Sequence, residues 1–196
     1  MNGGYFMSLL VICPRRFLDS RGWFSETYNE ARFASHGLPS SFCQDNQSYS
    51  QPAGTLRGLH FQAPPHAQAK LVRCLRGRIF DVAVDIRHDS PTFGKWVGLE
   101  LSADNGKQLF IPTGFAHGFV TLEADCEISY KVSDYYAPDC DGGIAWDDPT
   151  INVHWPIEKL APVLSDKDAC LPKLKDIDVH FPYDGRPLDG LIEITP

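Results

Sequence analysis

The chain has 196 residues, of which 43% are hydrophobic and 22% are charged. This composition excludes an intrinsically disordered protein and suffices for one domain with a sizeable core. The formal net charge of -7 argues against a nucleic-acid-binding protein. No apolar stretch approaches the ~20 residues of a membrane-spanning helix, so we expect neither a nucleic acid nor a membrane as a partner.

Charge is unevenly distributed along the chain. Between Gly54 and Phe80 there are five basic residues and no acidic residue. The five are Arg57, Lys70, Arg73, Arg76 and Arg78. A basic patch on an acidic protein favours an anionic small ligand, because a polyanion would be repelled by the rest of the surface. Arginines scattered over a solvated strand face would give the same composition.

The N-terminal run YFMSLLVIC (5–13) predicts a first β-strand. It lacks the basic first region and the cleavage site of a signal peptide. The six cysteines of the chain are widely spaced and form no C-x-x-C motif. We therefore expect reduced thiols in a cytoplasmic protein.

The elements that follow are mostly strands. Asn29 can cap one short helix over Glu30–His36, which Gly37 can end. Strand patterns then recur, with turn residues about every ten positions, as is typical of β-sandwiches and barrels. They cover 54–62, 71–87 with a turn at Arg76-Gly77, 94–102, 108–112, 117–122 and 126–136.

The end of the chain has a different character. After Trp155 it is rich in proline and irregular, and we expect it to cover the surface of a sheet. Residues 1–196 are thus predicted to form a single all-β domain with few short helices and an irregular tail from about residue 171. The closest architecture is a jelly-roll antiparallel β-sandwich, which leaves a ligand pocket between its sheets.

The stretch GTLRGLHFQ (54–62) places polar side chains in an apolar strand. Residues three apart in a regular strand face opposite sides of the sheet. For Arg57 and His60 to share a pocket, Gly58 must therefore allow a bulge or twist between them. A lone histidine in such a strand is more often structural than catalytic. Gln62 has no evident role.

Two further side chains are candidates for chemistry. His117 lies between a turn and an apolar strand, where it either closes the turn or faces a pocket and is held by a carboxylate. In DVAVDIR (81–87) Asp81 and Asp85 share one strand face and could supply that carboxylate. Tyr130 shares its face with Ile128 and Val132, so it points inward, either as a core residue or as a general acid.

Motifs for metal or cofactor binding are lacking. The common metal arrangement in β-sandwich pockets, H-x-H followed by Glu, does not occur, and His60 and His66 are separated by two prolines. Neither a G-x-G-x-x-G, a Walker nor a G-x-S-x-G motif is found. We expect no metal site.

Six motifs together resemble the dTDP-4-dehydrorhamnose 3,5-epimerase family. They are LRGLHFQ, QAKLVRCLRGRIFDVAVDIR, PTFGKWVG, FIPTGFAHGF, YKVSDYY and LSDKD, in family order over roughly residues 10–170. The resemblance implies a jelly-roll (cupin) fold, a homodimer, no cofactor and no metal. It also implies epimerisation of dTDP-4-dehydro-6-deoxy-D-glucose at C3 and C5.

Roles for individual residues follow from the resemblance. It makes His60 the base, Tyr130 the general acid and Asp168 the partner that orients His60, with Asp166 as the competing candidate. The residues implied in substrate binding are Arg21, Glu26, Gln44, Asn46, Arg57, Lys70, His117, Tyr136, Asp141 and Lys167, Asp141 being an acidic nucleotide contact.

Other functions remain open at this point. Relatives with the same fold epimerise a single carbon or isomerise a 3-keto to a 4-keto sugar. A sugar-nucleotide-binding module without turnover would keep Arg57 and Lys70 but would need no base and acid on opposite faces of the sugar. A metal-dependent cupin enzyme is the weakest alternative.

Overall fold

A computed structural model describes residues 8–38, 41–157 and 161–196. In chain order its strands are β1 (Leu10–Ile12), β2 (Arg16–Asp19), β3 (Gly22–Ser25), β4 (Gln44–Ser50), β5 (Leu56–Gln62), β6 (Lys70–Arg76), β7 (Arg78–Asp85), β8 (Arg87–His88), β9 (Trp96–Ser102), β10 (Gln108–Ile111), β11 (Phe115–Thr121), β12 (Cys126–Val132), β13 (Asp141–Gly143), β14 (Phe181–Pro182) and β15 (Ile192–Ile194). The α-helices are α1 (Glu30–Ser35) and α2 (Asp166–Ala169).

Within the described ranges the strands form two principal sheets. One has the order β15-β1-β10-β6-β12-β4, and the other has the order β13-β5-β11-β7-β9. The all-β prediction with few short helices is confirmed. The predicted turn at Arg76-Gly77 also forms, since β6 ends at Arg76 and Gly77 has a φ of +80°. A Cβ there would lie 2.6 Å from the sulfur of Cys126, so a side chain would not fit.

The buried apolar residues form three clusters, one between the two principal sheets and one on the outer face of each sheet. Between the sheets, Val72 and Ile128 of one sheet pack in a cluster with Ala83 and Phe119 of the other. The outer face of the β5-containing sheet packs against the segment after residue 143, which includes Trp155. This covering of a sheet surface agrees with the sequence prediction. The outer face of the other sheet packs against α1.

The tail is more regular than the sequence predicts. β15 pairs in parallel with β1, and β14 pairs in parallel with β8. Arg87, which is 1% exposed, explains part of this order, because its guanidinium donates hydrogen bonds to Asp85 and to Asp184 of the tail. A buried ion pair of this kind joins distant segments, and only the fold reveals it.

The described residues include no helix with the length and hydropathy that crossing a membrane requires. All six cysteines are free.

Candidate active site

A cavity of about 280 Å³ lies between the two principal sheets, where the sequence predicted a pocket. The β4–β6–β12 side, the β5–β11 side and α2 each contribute to it. Its lining residues are Ser48, Arg57, His60, Lys70, His117, Phe119, Tyr130, Ser165, Lys167 and Asp168. The structure thus brings together seven of the residues that the sequence nominated.

Gly58 lets Arg57 and His60 share this cavity. In the pairing of β5 with β11, His60 lies opposite His117 and Arg57 opposite Phe119, so the register shifts between the two pairs. Gly58 has a φ of +131°, and a Cβ there would lie 2.5 Å from the Cα of Gly118. The irregularity that the sequence required at Gly58 is therefore present, and it depends on glycine.

His60 and Asp168 form a hydrogen-bonded pair. The Nε2 of His60 lies 2.5 Å from the Oδ1 of Asp168, which is 5% exposed. The Ser165 hydroxyl donates to the other carboxylate oxygen at 2.8 Å, and the Gly58 N–H also donates to this carboxylate. Burial by itself would raise the pKa of Asp168, but these hydrogen bonds outweigh it and the pKa lies below its usual value.

An ionised Asp168 determines which nitrogen of His60 carries the proton. The carboxylate can only accept a hydrogen bond, so neutral His60 carries its proton on Nε2. Its Nδ1 lone pair is then free to accept a proton. Asp166 is exposed and does not line the cavity, so the geometry favours Asp168 over Asp166 as the partner of His60.

A second histidine is held in the same way. Nε2 of His117 lies 3.0 Å from both carboxylate oxygens of Asp81, which is fully buried. Of the two carboxylates that the sequence offered, Asp81 holds His117, whereas Asp85 binds Arg87. His117 is thus a pocket residue with a fixed ring.

Tyr130 and Lys70 enter the cavity from the opposite sheet. On β12, Tyr130 lies opposite Asn46 of β4 and Val72 of β6, which places it on the inner face as predicted. Burial raises the pKa of Tyr130, although Arg57 nearby lowers it. Burial also lowers the pKa of Lys70 to about 8. Within the described part of the chain, neither the hydroxyl nor the ammonium has a hydrogen-bond partner.

A group of linked polar residues lies at one end of the cavity, which we call the near end. It consists of Gln44, Tyr136, Asp141 and Lys167. Lys167 forms an ion pair with Asp141, to which the Tyr136 hydroxyl donates at 3.3 Å. The backbone N–H of Tyr136 donates to the Gln44 side chain, which in turn donates to Asn46 at 2.9 Å. Of these residues only Lys167 lines the cavity itself.

Arg21 and Glu26 are not brought to the cavity within this chain. Arg21 lies at the tip of the β2–β3 hairpin and pairs with Asp19 at 2.6 Å, whereas Glu26 pairs with Arg32 at 3.2 Å. The sequence motif containing them does not therefore reach the cavity within one copy.

Some lining residues were not predicted from the sequence. Ser165 belongs to LSDKD, where Ser three residues before Asp is a helix-capping pattern, and it does cap α2. Ser48 and Phe119 gave no signal. Gln62 proves to be structural, because its side chain donates to the carbonyl of Tyr135 and accepts from the N–H of Ala137.

No cluster of three or more His, Cys, Asp or Glu side chains that could hold a metal ion occurs among the described residues. His60 is paired with Asp168 and His117 with Asp81, so the two histidines share no carboxylate.

Comparison with known proteins identifies the family. Residues 6–176 match the model of the dTDP-4-dehydrorhamnose 3,5-epimerase family. The dTDP-4-dehydrorhamnose 3,5-epimerase of Sinorhizobium fredii is 52% identical, with coverage of 91% of this chain and 94% of the relative.

Two solved structures are similar over most of this chain. The Bacillus anthracis dTDP-4-dehydrorhamnose 3,5-epimerase with TDP and PPi bound is 52% identical with a TM-score of 0.79, covering 82% of this chain and 90% of that one. The Legionella pneumophila dTDP-6-deoxy-D-glucose-3,5-epimerase in complex with dTDP-4-keto-L-rhamnose is 44% identical with a TM-score of 0.85, covering 90% and 94%. The chain therefore belongs to the dTDP-4-dehydrorhamnose 3,5-epimerase family of isomerases.

Proposed function

We propose that this protein epimerises dTDP-4-dehydro-6-deoxy-D-glucose at C3 and C5 to dTDP-4-dehydro-L-rhamnose, in dTDP-L-rhamnose biosynthesis. Family membership supports the reaction, and one structural observation carries the mechanism. A histidine with a free Nδ1 and a tyrosine hydroxyl enter one cavity from opposite sheets, His60 from β5 and Tyr130 from β12. Inversion of a carbon requires removal of a proton on one face and its return on the other.

The C4 ketone makes this proton transfer possible. The C–H bonds at C3 and C5 are both α to the carbonyl, so removal of either proton gives an enolate. Nδ1 of His60 accepts the proton, and Asp168 stabilises the imidazolium that forms. The hydroxyl of Tyr130 then donates a proton to the opposite face of the carbon, and proton exchange with solvent returns His60 and Tyr130 to their starting states before the second carbon is inverted.

Lys70 stabilises the enolate. Imidazole is a weak base for a carbon acid, so negative charge on the C4 oxygen must be stabilised as it develops. With a pKa of about 8, Lys70 is mostly an ammonium at neutral pH, and it lies partly buried on the cavity wall. A buried ammonium interacts more strongly with an oxyanion than a solvated one, because the local dielectric constant is lower.

The near end of the cavity is assigned to the nucleotide. Tyr136 is 57% exposed and can stack on thymine, and Lys167 can exchange its ion pair with Asp141 for a phosphate. Gln44 and Asn46 supply further hydrogen-bonding groups, whereas Arg57 and His117 are assigned to the sugar. Neither an organic cofactor nor a metal ion is required by this scheme.

The β2–β3 hairpin supports a homodimer. It exposes four large apolar side chains: Phe17, Leu18, Trp23 and Phe24. An exposed apolar patch of this kind marks an interaction surface. A second copy seated there would cover the patch and place Arg21 and Glu26 in an interface, where they could reach the partner's cavity. Light scattering should give a mass close to twice 21.9 kDa. A monomeric mass would contradict this proposal. We also propose a cytoplasmic location, which the free cysteines support.

One experiment tests the function directly. The protein is incubated with dTDP-4-dehydro-6-deoxy-D-glucose in D₂O, and deuterium at each carbon is followed by NMR. Incorporation at C3 and C5, lost in His60→Ala, is expected. His36→Ala is the control, because His36 is an exposed helix-capping residue. Incorporation at one carbon would indicate a mono-epimerase, and none at either carbon would favour a binding module.

A further inference from the structure

Ser48 is unusual among the residues that line the cavity. Its Oγ is buried and, within the described residues, is the single buried side-chain oxygen or nitrogen without a hydrogen-bond partner. Leaving a buried hydroxyl unpaired destabilises a fold, and native proteins nearly always avoid it. Unpaired groups that persist tend to have a function.

Ser48 lies at the opposite end of the cavity from Tyr136. On the inner face of the sheet, Gln44 is opposite Val132, whereas Ser48, four residues further along β4, is opposite Ile128. Four residues of strand span about 13 Å at ~3.3 Å each. Because Gln44 binds the backbone of Tyr136, this span separates Ser48 from the near end. We call Ser48, Arg57 and Phe119 the far end.

The other sheet has the same polarity. Gln62 of β5 lies opposite Asp141 of the near end, and Arg57, the second residue of the same strand, lies at the far end opposite Phe119. The guanidinium of Arg57 crosses to β4, where Nη2 donates to the carbonyl of Tyr49 at 3.2 Å and Nε donates to the hydroxyl of Ser50 at 3.3 Å. Ser50 is therefore satisfied, whereas the neighbouring inward serine is not.

The chemistry of the substrate determines what reaches the far end. With the nucleotide at the near end, the sugar is attached to the diphosphate through C1. C4 is opposite C1 in a six-membered ring, so C4 and its neighbours C3 and C5 extend furthest from the nucleotide. Lys70 is assigned to the C4 oxygen, and C5 carries only a methyl group, so the C3 hydroxyl is the remaining hydrogen-bonding group at this end of the sugar.

We propose that the Ser48 hydroxyl hydrogen-bonds the C3 hydroxyl of the bound sugar and so orients the ring between base and acid. This inference rests on the proposed function. A serine suits the contact, because its hydroxyl both donates and accepts, and a rotation about χ1 turns the buried oxygen towards the sugar. Ser48 is then a specificity residue for 3-hydroxylated 4-keto sugars.

The test is Ser48→Ala, with Ser129→Ala as its matched control on the outer face of the neighbouring strand. Removing an unpaired hydroxyl should leave the Tm of the ligand-free protein unchanged or raise it. The affinity for dTDP alone, measured by calorimetry, should stay within twofold. kcat/KM for the sugar nucleotide should fall on the order of tenfold, the effect of one uncharged hydrogen bond. Ser129→Ala should match the wild type throughout.

A 3-deoxy substrate separates a sugar contact from a structural role. With the 3-deoxy analogue of the 4-keto sugar nucleotide, C5 deuterium exchange should be equally fast in the wild type and Ser48→Ala, because the partner hydroxyl is absent. Three results would overturn the inference. Ser48→Ala could have wild-type kinetics with the normal substrate, or it could lose as much activity with the 3-deoxy analogue as with the normal substrate. It could also lose dTDP affinity and Tm together with activity. A wild-type protein that exchanges neither carbon would instead overturn the proposed function.

Discussion

His60 and Asp168 are 108 residues apart in sequence, yet Nε2 and Oδ1 lie 2.5 Å apart. β5 supplies the histidine and the four-residue helix α2 supplies the carboxylate. Ser165 caps that helix and bonds the same carboxylate, so the helix cap and the His60–Asp168 pair are one hydrogen-bonded unit. This unit fixes the orientation of the imidazole and, with Asp168 ionised, keeps the proton of neutral His60 on Nε2.

Asp168→Asn should therefore lower the exchange rate at both C3 and C5. The amide preserves the shape but neither stabilises an imidazolium nor enforces the Nε2–H tautomer. A loss of about 10²–10⁴-fold is expected. The rates are measured by NMR in D₂O. Asp166→Asn is the control on the same helix, because Asp166 is exposed and should keep full activity. The reverse order of effects would assign the partner role to Asp166.

Tyr130→Phe should separate proton exchange from inversion. Without the hydroxyl, His60 can still remove a proton and return a deuteron from solvent on its own face. We expect deuterium incorporation to survive better than formation of the L-sugar, with the larger deficit at C5. The deuterium exchange rate and the yield of the L-sugar are both measured by NMR, and their ratio in Tyr130→Phe is compared with that in the wild type. A proportional loss of both would contradict a role for Tyr130 as the acid on the opposite face.

Lys70 should show a conflict between stability and function. Its pKa is about 8 in the folded protein, lowered by burial from an ordinary 10.5. Between these pH values the unfolded chain holds a proton that the folded chain has lost, so the Lys70 contribution to stability rises with pH in this window. Below pH 8 both states are protonated and the full penalty applies.

Lys70→Met should consequently raise the free energy of unfolding at pH 7 by about 1–3 kcal/mol while abolishing activity. The gain should shrink as the pH rises from 8 towards 10.5. Urea denaturation at pH 7 and pH 10 measures it. A gain of equal size at both pH values would show that hydrophobic packing, and not the ammonium, is responsible.

The sequence predicted those parts of the fold and site that depend on local patterns. Alternation placed Tyr130 on the inner face, and the odd spacing of Arg57 and His60 predicted an irregularity at Gly58. The sequence is less informative about residues whose role depends on partners that are distant in sequence. Nothing near Ser48 in sequence shows that its hydroxyl is unpaired, because this follows from the packing of two sheets.

The tail illustrates the same limit. Its composition predicts an irregular segment, yet β15 pairs with β1 as a parallel strand. Part of this order comes from Arg87, which is far from the tail in sequence and donates a hydrogen bond to Asp184, and β15 itself is held by its pairing with β1. A strand of three residues has too little pattern to be predicted without its partner.

Chelation provides a simple test of the metal-free scheme. Because the proposed enolate is stabilised by the Lys70 ammonium, EDTA followed by gel filtration should leave kcat unchanged within error. Added Mg²⁺ or Zn²⁺ should not raise it. Activity that is lost on chelation and restored by a metal ion would show that Lys70 is not the principal electrophile.

Gly58→Ala tests whether the irregular strand is required. A Cβ at this position would lie 2.5 Å from the Cα of Gly118 and 2.9 Å from the carbonyl oxygen of His117, and both are backbone atoms that cannot turn away. Its φ of +131° is also unfavourable for alanine. We expect a loss of about 3 kcal/mol or more in unfolding free energy.

Gly190→Ala is the matched control, since Gly190 has a φ of +104° and a Cβ added there would meet no atom within 4 Å. It should lose only ~1–2 kcal/mol. Both are measured by urea denaturation, with exchange at C3 as the functional readout. Equal losses in the two variants would show that φ alone matters at Gly58, and full activity in Gly58→Ala would show that Arg57 and His60 can share the cavity without it.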